Sequence, residues 1–181
     1  MKEISDKEIL NLFFNEDKNK AFSLLLEKYK ERLYWHIRKI VISHENADDV
    51  LQNTFLNVWR YLDKFKQESS LYTWLYRIAT NEALAFLKKN KPEYSLPLSE
   101  NESEFVNKLS EDNLFSGDEI ALKLQKAINT LPEKQKLVFN MKYFDEMKYS
   151  EISEILNTSE GALKASYHHA VKKIKEFLKL N

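Results

Sequence analysis

Residues 149–174 read YSEISEILNTSEGALKASYHHAVKKI, and this stretch decides how the second half of the chain folds. Apolar residues recur at spacings of three and four on both sides of Asn157-Thr158-Ser159, which is the pattern of two amphipathic helices joined by a turn. It predicts a short helix over Glu151–Leu156, capped by Ser150, and a longer helix from about Glu160 to Leu180. A turn this tight makes the two helices cross at a steep angle, as in a helix-turn-helix.

The longer helix carries a polar and basic face opposite its apolar one. The apolar face is formed by Leu163, Tyr167, Ala170, Val171 and Ile174. The outward face combines hydrogen-bond donors with positive charge, as contacts to base edges and phosphates require, and an α-helix fits the major groove. The outward positions are Lys164, Ser166, His168, His169 and Lys172. An ordinary helical hairpin with a solvated charged face is the alternative that this pattern leaves open.

The composition of the chain predicts an all-α protein and excludes several classes of site. Its 181 residues include only two glycines and three prolines, too few for the turns of a sheet protein, and no cysteine, so disulfides and thiolate zinc sites are excluded. Nucleophile–base pairs, glycine-rich phosphate loops and metal-ligand spacings are missing, so we expect no enzymatic activity, cofactor or metal. No apolar run suggests a signal peptide or a bilayer span, so we expect a cytoplasmic protein without membrane insertion.

Charge divides the chain into three segments, although its formal net charge is zero. Residues 1–91 carry 16 Lys/Arg and 13 Asp/Glu, residues 92–120 carry 1 and 8, and residues 121–181 carry 11 and 7. Together with Pro92 and Pro97, this pattern predicts a first domain over 1–91, a flexible acidic linker over 92–117 and a second domain over 118–181. Neither domain is basic enough for tight DNA binding on its own, so a DNA role would need a partner.

Two capping boxes are predicted outside the helix-turn-helix. Ser5-Asp6-Lys7-Glu8 precedes a short apolar run and predicts the start of a first helix. Thr130-Leu131-Pro132-Glu133 predicts a second start, with Pro132 at the first helical position. Between these points, helices are predicted from about Asn19 to Ser43, from near Asn46, and from Ser69 or Ser70 to Lys89.

The helix that begins near Asn46 has more apolar surface than a core requires. Its core face is formed by Ala47, Val50, Leu51, Thr54, Phe55, Val58 and Leu62. A second stripe, again at spacings of three and four, is formed by Asp49, Gln52, Leu56 and Trp59. Large apolar side chains beside polar ones are typical of a protein-binding face. The alternative is that Leu56 and Trp59 pack under a neighbouring helix.

The next helix places aromatic residues beside polar and basic ones. Thr73, Arg77, Asn81, Leu84 and Lys88 share one face, and Tyr72, Trp74 and Tyr76 crowd its start. Such a combination suits unpaired bases, which stack on aromatic rings and expose their hydrogen-bonding edges. An aromatic core with a solvated edge is the alternative.

Three motifs in this order resemble those of bacterial RNA polymerase sigma factors of the extracytoplasmic-function (ECF) group. ADDVLQNTFLNVW, residues 47–59, resembles the polymerase-binding helix of that group, and YTWLYRIATN, residues 72–81, resembles its promoter-melting helix. LPEKQ at 131–135, with YSEI at 149–152 and EGALK at 160–164, is similar to its upstream-element reader. The resemblance implies a sigma-two-like bundle and a four-helix domain with a helix-turn-helix.

The resemblance also implies partners and sites. It implies binding to core RNA polymerase, to double-stranded and melted promoter DNA, and to an anti-sigma factor. The polymerase-binding residues would be Asp48, Asp49, Gln52, Asn53, Leu56 and Trp59. The minus-ten contacts would be Ser69, Ser70, Tyr72, Trp74, Arg77, Asn81 and Lys88. The minus-thirty-five contacts would be Glu160, Gly161, Lys164, Ser166, His168, His169 and Lys172.

Two other functions are weighed against this one. A two-component-type regulator would have a similar helix-turn-helix, but residues 1–91 show no alternating strands of a receiver domain. Such a helix-turn-helix transcription regulator, not acting as a sigma factor, is the chief alternative. An all-helical enzyme is the second, and the sequence shows no catalytic motif for it. The departures from the family pattern, Ser166 where arginine is common and Asn157 where glycine is common, bear on which bases are preferred.

Overall fold

The computed structural model describes residues 4–90 and 119–180, and every regular element in these ranges is helical. The chain divides into two compact units, Met1–Leu87 and Lys88–Asn181. The helices are α1 (Asp6–Asn15), α2 (Lys18–Val41), α3 (His44–Tyr61), a 3-10 turn (Leu62–Lys64), α4 (Leu71–Lys89), α5 (Glu119–Asn129), α6 (Glu133–Tyr143), α7 (Tyr149–Leu156) and α8 (Glu160–Leu180). The all-α prediction is confirmed, whereas the predicted linker over 92–117 lies outside the described residues.

In the N-terminal unit, α1 begins at the predicted capping box and is fastened to α2. Ser5 N donates to Glu8 Oε2 at 2.8 Å, and Glu8 N donates to Ser5 Oγ at 3.3 Å. Asp6 then accepts from Tyr29 Oη and from Lys28 Nζ, each at 2.8 Å. Burial, and then the hydrogen bond to Asp6, raise the pKa of Tyr29 well above its usual range, so its hydroxyl stays a donor.

The apolar faces of α1–α4 close over a single core within this unit. Its fully buried side chains include Ile9, Leu25, Leu33, Ile37, Leu62 and Leu75. Each such side chain contributes about 2 kcal/mol through the removal of apolar surface from water. One face of α3 packs in this core, so the positions of the residues on the other face of α3 are fixed as well.

A strained turn separates α2 from α3. Ile42 ends α2 with a φ of 68°, and Ser43 N donates to Val41 O at 2.8 Å. A β-branched residue at positive φ is rare, because its side chain crowds the backbone. The turn starts α3 at His44, two residues before the predicted position near Asn46.

The start of α4 is capped by Ser70, whose Oγ accepts from Thr73 N at 3.0 Å. The helix is then joined to α2 through a buried polar pair. Thr80 Oγ1 donates to Tyr76 O at 2.7 Å, so it accepts at 2.9 Å from Nε2 of buried His36. This pair satisfies polar groups that would otherwise be costly inside the core.

The C-terminal unit packs α5–α8 around a second core. Its cluster comprises Ala127, Ile128, Leu131, Phe139, Ala170 and Ile174, with Leu124, Tyr167, Val171 and Phe177 packed against it. Asn157 ends α7 in the left-handed conformation, with φ 47° and ψ 50°, which asparagine tolerates better than most residues. The turn that joins α7 to α8 therefore has the helix-turn-helix form.

Two predicted caps in this unit are wrong. Pro132 is the N-cap of α6 and not its first residue, and Thr130 Oγ1 donates to Ala127 O at 2.7 Å instead of capping α6. Lys148, not Ser150, is the N-cap of α7, and Lys148 N donates to Glu151 Oε2 at 2.7 Å. In both cases the predicted capping motif does not form, because the packing of the core determines the residue at which each helix begins. Among the described residues, no helix is long and apolar enough to cross a membrane.

Candidate functional site

The second stripe of α3 lies on the surface of the N-terminal unit. Leu56 is 52% exposed and Trp59 is 43% exposed. The polar members Asp49 and Gln52 are exposed as well, and so are the neighbouring Asp48 and Asn53. The sequence left open whether Leu56 and Trp59 form an exposed face or pack under a neighbouring helix, and in the structure they are exposed. The stripe thus exposes apolar area to water beside hydrogen-bonding groups. The opposite face of α3 packs in the core and holds the helix in place.

Phe22 of α2 extends this stripe and was not predicted. Its half-buried ring lies edge-on to Trp59, with 4.9 Å between ring centroids, and 6.4 Å from the buried ring of Phe55. A signal was available, because Phe22 lies one position beyond Ala21 on α2, beside the core face that Ala21 and Leu25 mark. Only the packing of α2 on α3 shows which helix that extra apolar position meets.

The first turn of α3 is held by contacts to α2. Tyr34 Oη lies 2.6 Å from Nδ1 of His44, and Nε2 of His44 lies 3.7 Å from Oδ2 of Asp48. The imidazole thus lies between a tyrosine of α2 and Asp48, which neighbours Asp49 of the stripe.

The predicted nucleic-acid face of α4 is divided between core and surface. Asn81 and Lys88 are exposed and Arg77 is half-buried, but Tyr76 is 3% exposed and belongs to the core. Tyr72 and Trp74 are half-buried, and their rings pack on Tyr76 at 4.4 Å and on Phe65 at 5.1 Å. The aromatic-core alternative thus holds for Tyr76, while the other two rings keep an accessible part.

The loop before α4 is anchored at one end and strained in the middle. Phe65 is buried, whereas Lys66, Gln67 and Glu68 are exposed, and Gln67 has a φ of 57°. Of the two predicted serines, Ser69 is half-buried and Ser70 is the exposed cap of α4. The left-handed conformation of Gln67 is strained for a residue with a β-carbon.

The outward face of α8 is accessible at nearly every predicted position. Glu160, Gly161, Lys164, His168, His169 and Lys172 are exposed, and Ser166 is half-buried. A side chain added at Gly161 would meet nothing within 4 Å, so the first turn of α8 is open to a partner. The Nζ of Lys164 lies 3.7 Å from Oε2 of Glu160 and 5.6 Å from the ring centre of Tyr149. Within the described ranges, no group of His, Cys, Asp or Glu is arranged to hold a metal ion.

Comparison with known proteins identifies the family. A model of sigma-70 region 2 matches residues 25–93, and a model of sigma-70 region 4 matches residues 121–174. The ECF RNA polymerase sigma factor SigW of Bacillus subtilis is 30% identical over 167 residues, covering 88% of this chain and 89% of its own. The chain belongs to the ECF RNA polymerase sigma factors. This sigma factor is also 30% identical over 159 residues to the ECF RNA polymerase sigma-E factor of Escherichia coli (strain K12), covering 83% of each chain.

Solved structures share the fold of this sigma factor. The sigma factor RpoE from Bartonella quintana, in complex with the anti-sigma factor NepR, matches with a TM-score of 0.72 and 22% identity, covering 90% of this chain and 99% of its own. CnrH, in complex with the cytosolic domain of CnrY, matches with a TM-score of 0.69 and 20% identity, covering 96% and 97%.

Family membership sets the general function. As a sigma factor, the chain directs promoter-specific transcription by RNA polymerase, and it is a DNA-binding regulatory subunit and not an enzyme. The alternative of a helix-turn-helix regulator that does not act as a sigma factor is not supported. The region 2 match begins inside α2, so α1 lies outside it.

Proposed function

We propose that this sigma factor docks on core RNA polymerase through the α3 stripe, reads and melts the minus-ten element with α4 and its preceding loop, and reads the minus-thirty-five element with α8. The observation that carries the proposal is the exposure of Leu56 and Trp59 on an otherwise well-packed helix. Because polymerase works in the cytoplasm, we place the chain there too.

The α3 stripe suits a protein partner by its chemistry. Leu56 and Trp59 offer apolar area at the centre, and Asp48, Asp49, Gln52 and Asn53 offer hydrogen bonds around them. Interfaces with a few apolar or aromatic anchors inside a polar rim derive most of their affinity from the anchors. The contact of Phe22 with Trp59 limits the rotamers of the indole, so less conformational entropy is lost on binding.

The α4 face suits a melted strand. An extruded base is recognised by hydrogen bonds to its edge and by stacking, which an exposed amide and partly exposed rings supply. Asn81 has the amide, Tyr72 and Trp74 have the rings, and Arg77 and Lys88 add charge for phosphates. Ser69 and Ser70 belong to the neighbouring loop, in which Gln67 has a left-handed backbone conformation.

The α8 face suits double-stranded DNA. In a helix-turn-helix the second helix lies in the major groove, and its first turns contact base edges. On α8 the proposed contacts are Glu160, Gly161, Lys164, Ser166, His168, His169 and Lys172.

Charge explains why both readers would act only on polymerase. The segments 1–91 and 121–181 each carry a small positive excess, and residues 92–120 carry 8 acidic against 1 basic residue. Few phosphate contacts give weak, salt-sensitive binding by the free chain. We assign the acidic linker over 92–117 to a polymerase channel otherwise used by nucleic acid, because its charge imitates that of a strand.

An anti-sigma factor is a further proposed partner. Both structural relatives described above were solved in complexes, one with the anti-sigma factor NepR and one with the cytosolic domain of CnrY. A protein that covered exposed apolar residues such as Leu56 and Trp59 would keep this sigma factor from polymerase.

Binding to purified core polymerase tests the proposal. The wild-type chain should co-elute with core enzyme in size-exclusion chromatography and support run-off transcription. Leu56→Ala and Trp59→Ala should each weaken the complex, since truncating a central anchor costs about 2 kcal/mol, or roughly thirtyfold in affinity. Tm and helicity should stay near wild type. A large drop in Tm with unchanged affinity would show that these side chains serve the fold and not the interface.

A further inference from the structure

The ring of Tyr149 lies within cation–π distance of two lysines from two other helices. Lys142 of α6 places its Nζ 5.2 Å from the ring centre, and Lys164 of α8 places its Nζ 5.6 Å from it. Tyr149 is the first residue of α7 and is half-buried. One aromatic side chain thus joins the three helices that form the helix-turn-helix and its support.

In the part of the chain that the structure describes, each lysine has one further contact that bears on its position. Lys142 Nζ donates to Met147 O at 2.9 Å, in the turn between α6 and α7. Lys164 Nζ lies 3.7 Å from Oε2 of Glu160, one turn earlier on α8, and both side chains are about half exposed, so water screens this ion pair. The negative face of the aromatic ring attracts both ammonium groups and offsets their mutual repulsion.

The contact with the ring places the ammonium of Lys164 near α7. The ammonium lies toward the start of this helix, which in a helix-turn-helix crosses the DNA backbone. A lysine ammonium is a compact point charge that suits a phosphate, whereas bidentate recognition of a base edge favours other groups. Burial raises the pKa of Tyr149, so the ring stays a neutral phenol.

We propose that Tyr149 is a positioning residue that holds Lys142 and Lys164 against the sugar-phosphate strand beside the groove entered by α8, so that both lysines bind DNA phosphates and not bases. The inference rests on the proposed DNA role of α8, and it adds Lys142 and Tyr149, which sequence reasoning missed. Glu160 is the competing anion, because a phosphate bound to Lys164 would replace its carboxylate.

Salt dependence of DNA binding by the full chain tests this. The probe is a fluorescein-labelled duplex of mixed sequence, titrated by anisotropy at several KCl concentrations. The plot of log K against log salt has a negative slope, and loss of one phosphate contact reduces the magnitude of that slope by about 1. Tyr149→Leu, which releases both lysines, should reduce it by about 2, whereas Tyr149→Phe, which keeps the ring, should keep the wild-type slope. Tyr143→Leu is the matched control on α6, where Tyr143 stacks on Phe139.

A wild-type slope for Tyr149→Leu would overturn the proposal, and so would an equal loss for Tyr149→Phe. Where circular dichroism shows Tyr149→Leu to be folded, a Lys142→Gln/Lys164→Gln chain gives a second test. In that chain Tyr149→Leu should not change the slope further, because the groups that the tyrosine positions are gone, and a further loss would contradict the proposal. If Tyr149→Leu is partly unfolded, Lys142→Gln/Lys164→Gln with the tyrosine in place decides: its slope should be shallower by about 2, and a wild-type slope would overturn the proposal.

A promoter library separates this proposal from the proposed function. With core polymerase, Lys164→Gln should reduce transcription evenly across upstream sequences. A changed preference at one base position would mean that Lys164 reads a base, which contradicts the proposal. Failure of the wild-type chain to bind core polymerase would refute the polymerase role, yet it would leave the duplex measurement interpretable.

Discussion

Lys136 carries an ammonium charge that is costly to bury in the folded state. It lies half-buried on α6, and its Nζ donates to Oδ1 of Asn129 at 2.6 Å. Burial lowers the pKa of Lys136 to about 8, against the opposing influence of the nearby Glu133 carboxylate. The folded chain therefore loses this proton at a lower pH than the unfolded chain, whose value is 10.5.

The difference predicts a specific pH dependence of stability. Below pH 8 both the folded and the unfolded chain hold the proton, and the folded chain bears the full cost of burying the charge. Between about pH 8 and 10.5 only the unfolded chain holds the proton, so this destabilisation of the folded chain decreases as the pH rises. Relative to Lys136→Met, the free energy of unfolding of the wild type should increase across this range. Urea unfolding followed by circular dichroism at both ends of the range measures it. Parallel pH profiles would contradict the assignment.

Left-handed residues show what can be predicted for a single residue. Asn157 stands at the predicted turn, and asparagine tolerates the left-handed conformation found there. Ile42, with a φ of 68°, was not expected, since nothing local favours a β-branched residue in that region. The cost of that strain is offset by the packing of α2 and α3, which a sequence pattern does not show.

Among the elements, the turn from α7 to α8 is the one that sets the angle of α8. Asn157 is exposed, so its backbone and not its side-chain packing decides the effect of substitution. Asn157→Ala should lower the free energy of unfolding by about 1 kcal/mol, and Asn157→Gly should not, because only a β-carbon is penalised in the left-handed region. Gly161→Ala, in the helical first turn of α8, should cause no loss. Chemical denaturation of the three variants measures this, and equal losses for Ala and Gly at 157 would contradict it.

Local capping motifs predicted one helix start correctly and two wrongly. The capping box at Ser5 and Glu8 has both of its hydrogen bonds. The box at Thr130 failed, because the chain there enters α6 through Pro132, which has no side-chain oxygen to cap with. Where burial of an apolar side chain and formation of a cap require different helix starts, burial contributes the larger free energy and determines the start.

For the whole molecule, we expect two separable reading functions. His168 is exposed on α8 and Asn81 is exposed on α4, in different units of the chain. His168→Ala should change the preferred upstream bases, with a cost of about 1–3 kcal/mol at the affected position. Asn81→Ala should instead relax the minus-ten preference and slow open-complex formation, because an extruded base loses its hydrogen bonds.

Transcription of a promoter library with polymerase and each variant checks this. The double variant should show the sum of the two effects, because the sites share no partner. Changes at the same promoter positions for both variants would contradict a mechanism with two readers. Run-off from a pre-melted template should restore Asn81→Ala more than His168→Ala.

The sequence by itself determined that the chain is all-helical, that it has an acidic segment between two mildly basic ones, and that it carries a helix-turn-helix and two further amphipathic stripes. These follow from periodicity and composition, which act locally. Tertiary structure alone decided that Leu56 and Trp59 are exposed while Tyr76 is buried, that Phe22 joins the α3 stripe, and that Tyr149 meets both Lys142 and Lys164. Such outcomes depend on which helices pack together, and residues distant in sequence become neighbours only when their cores close.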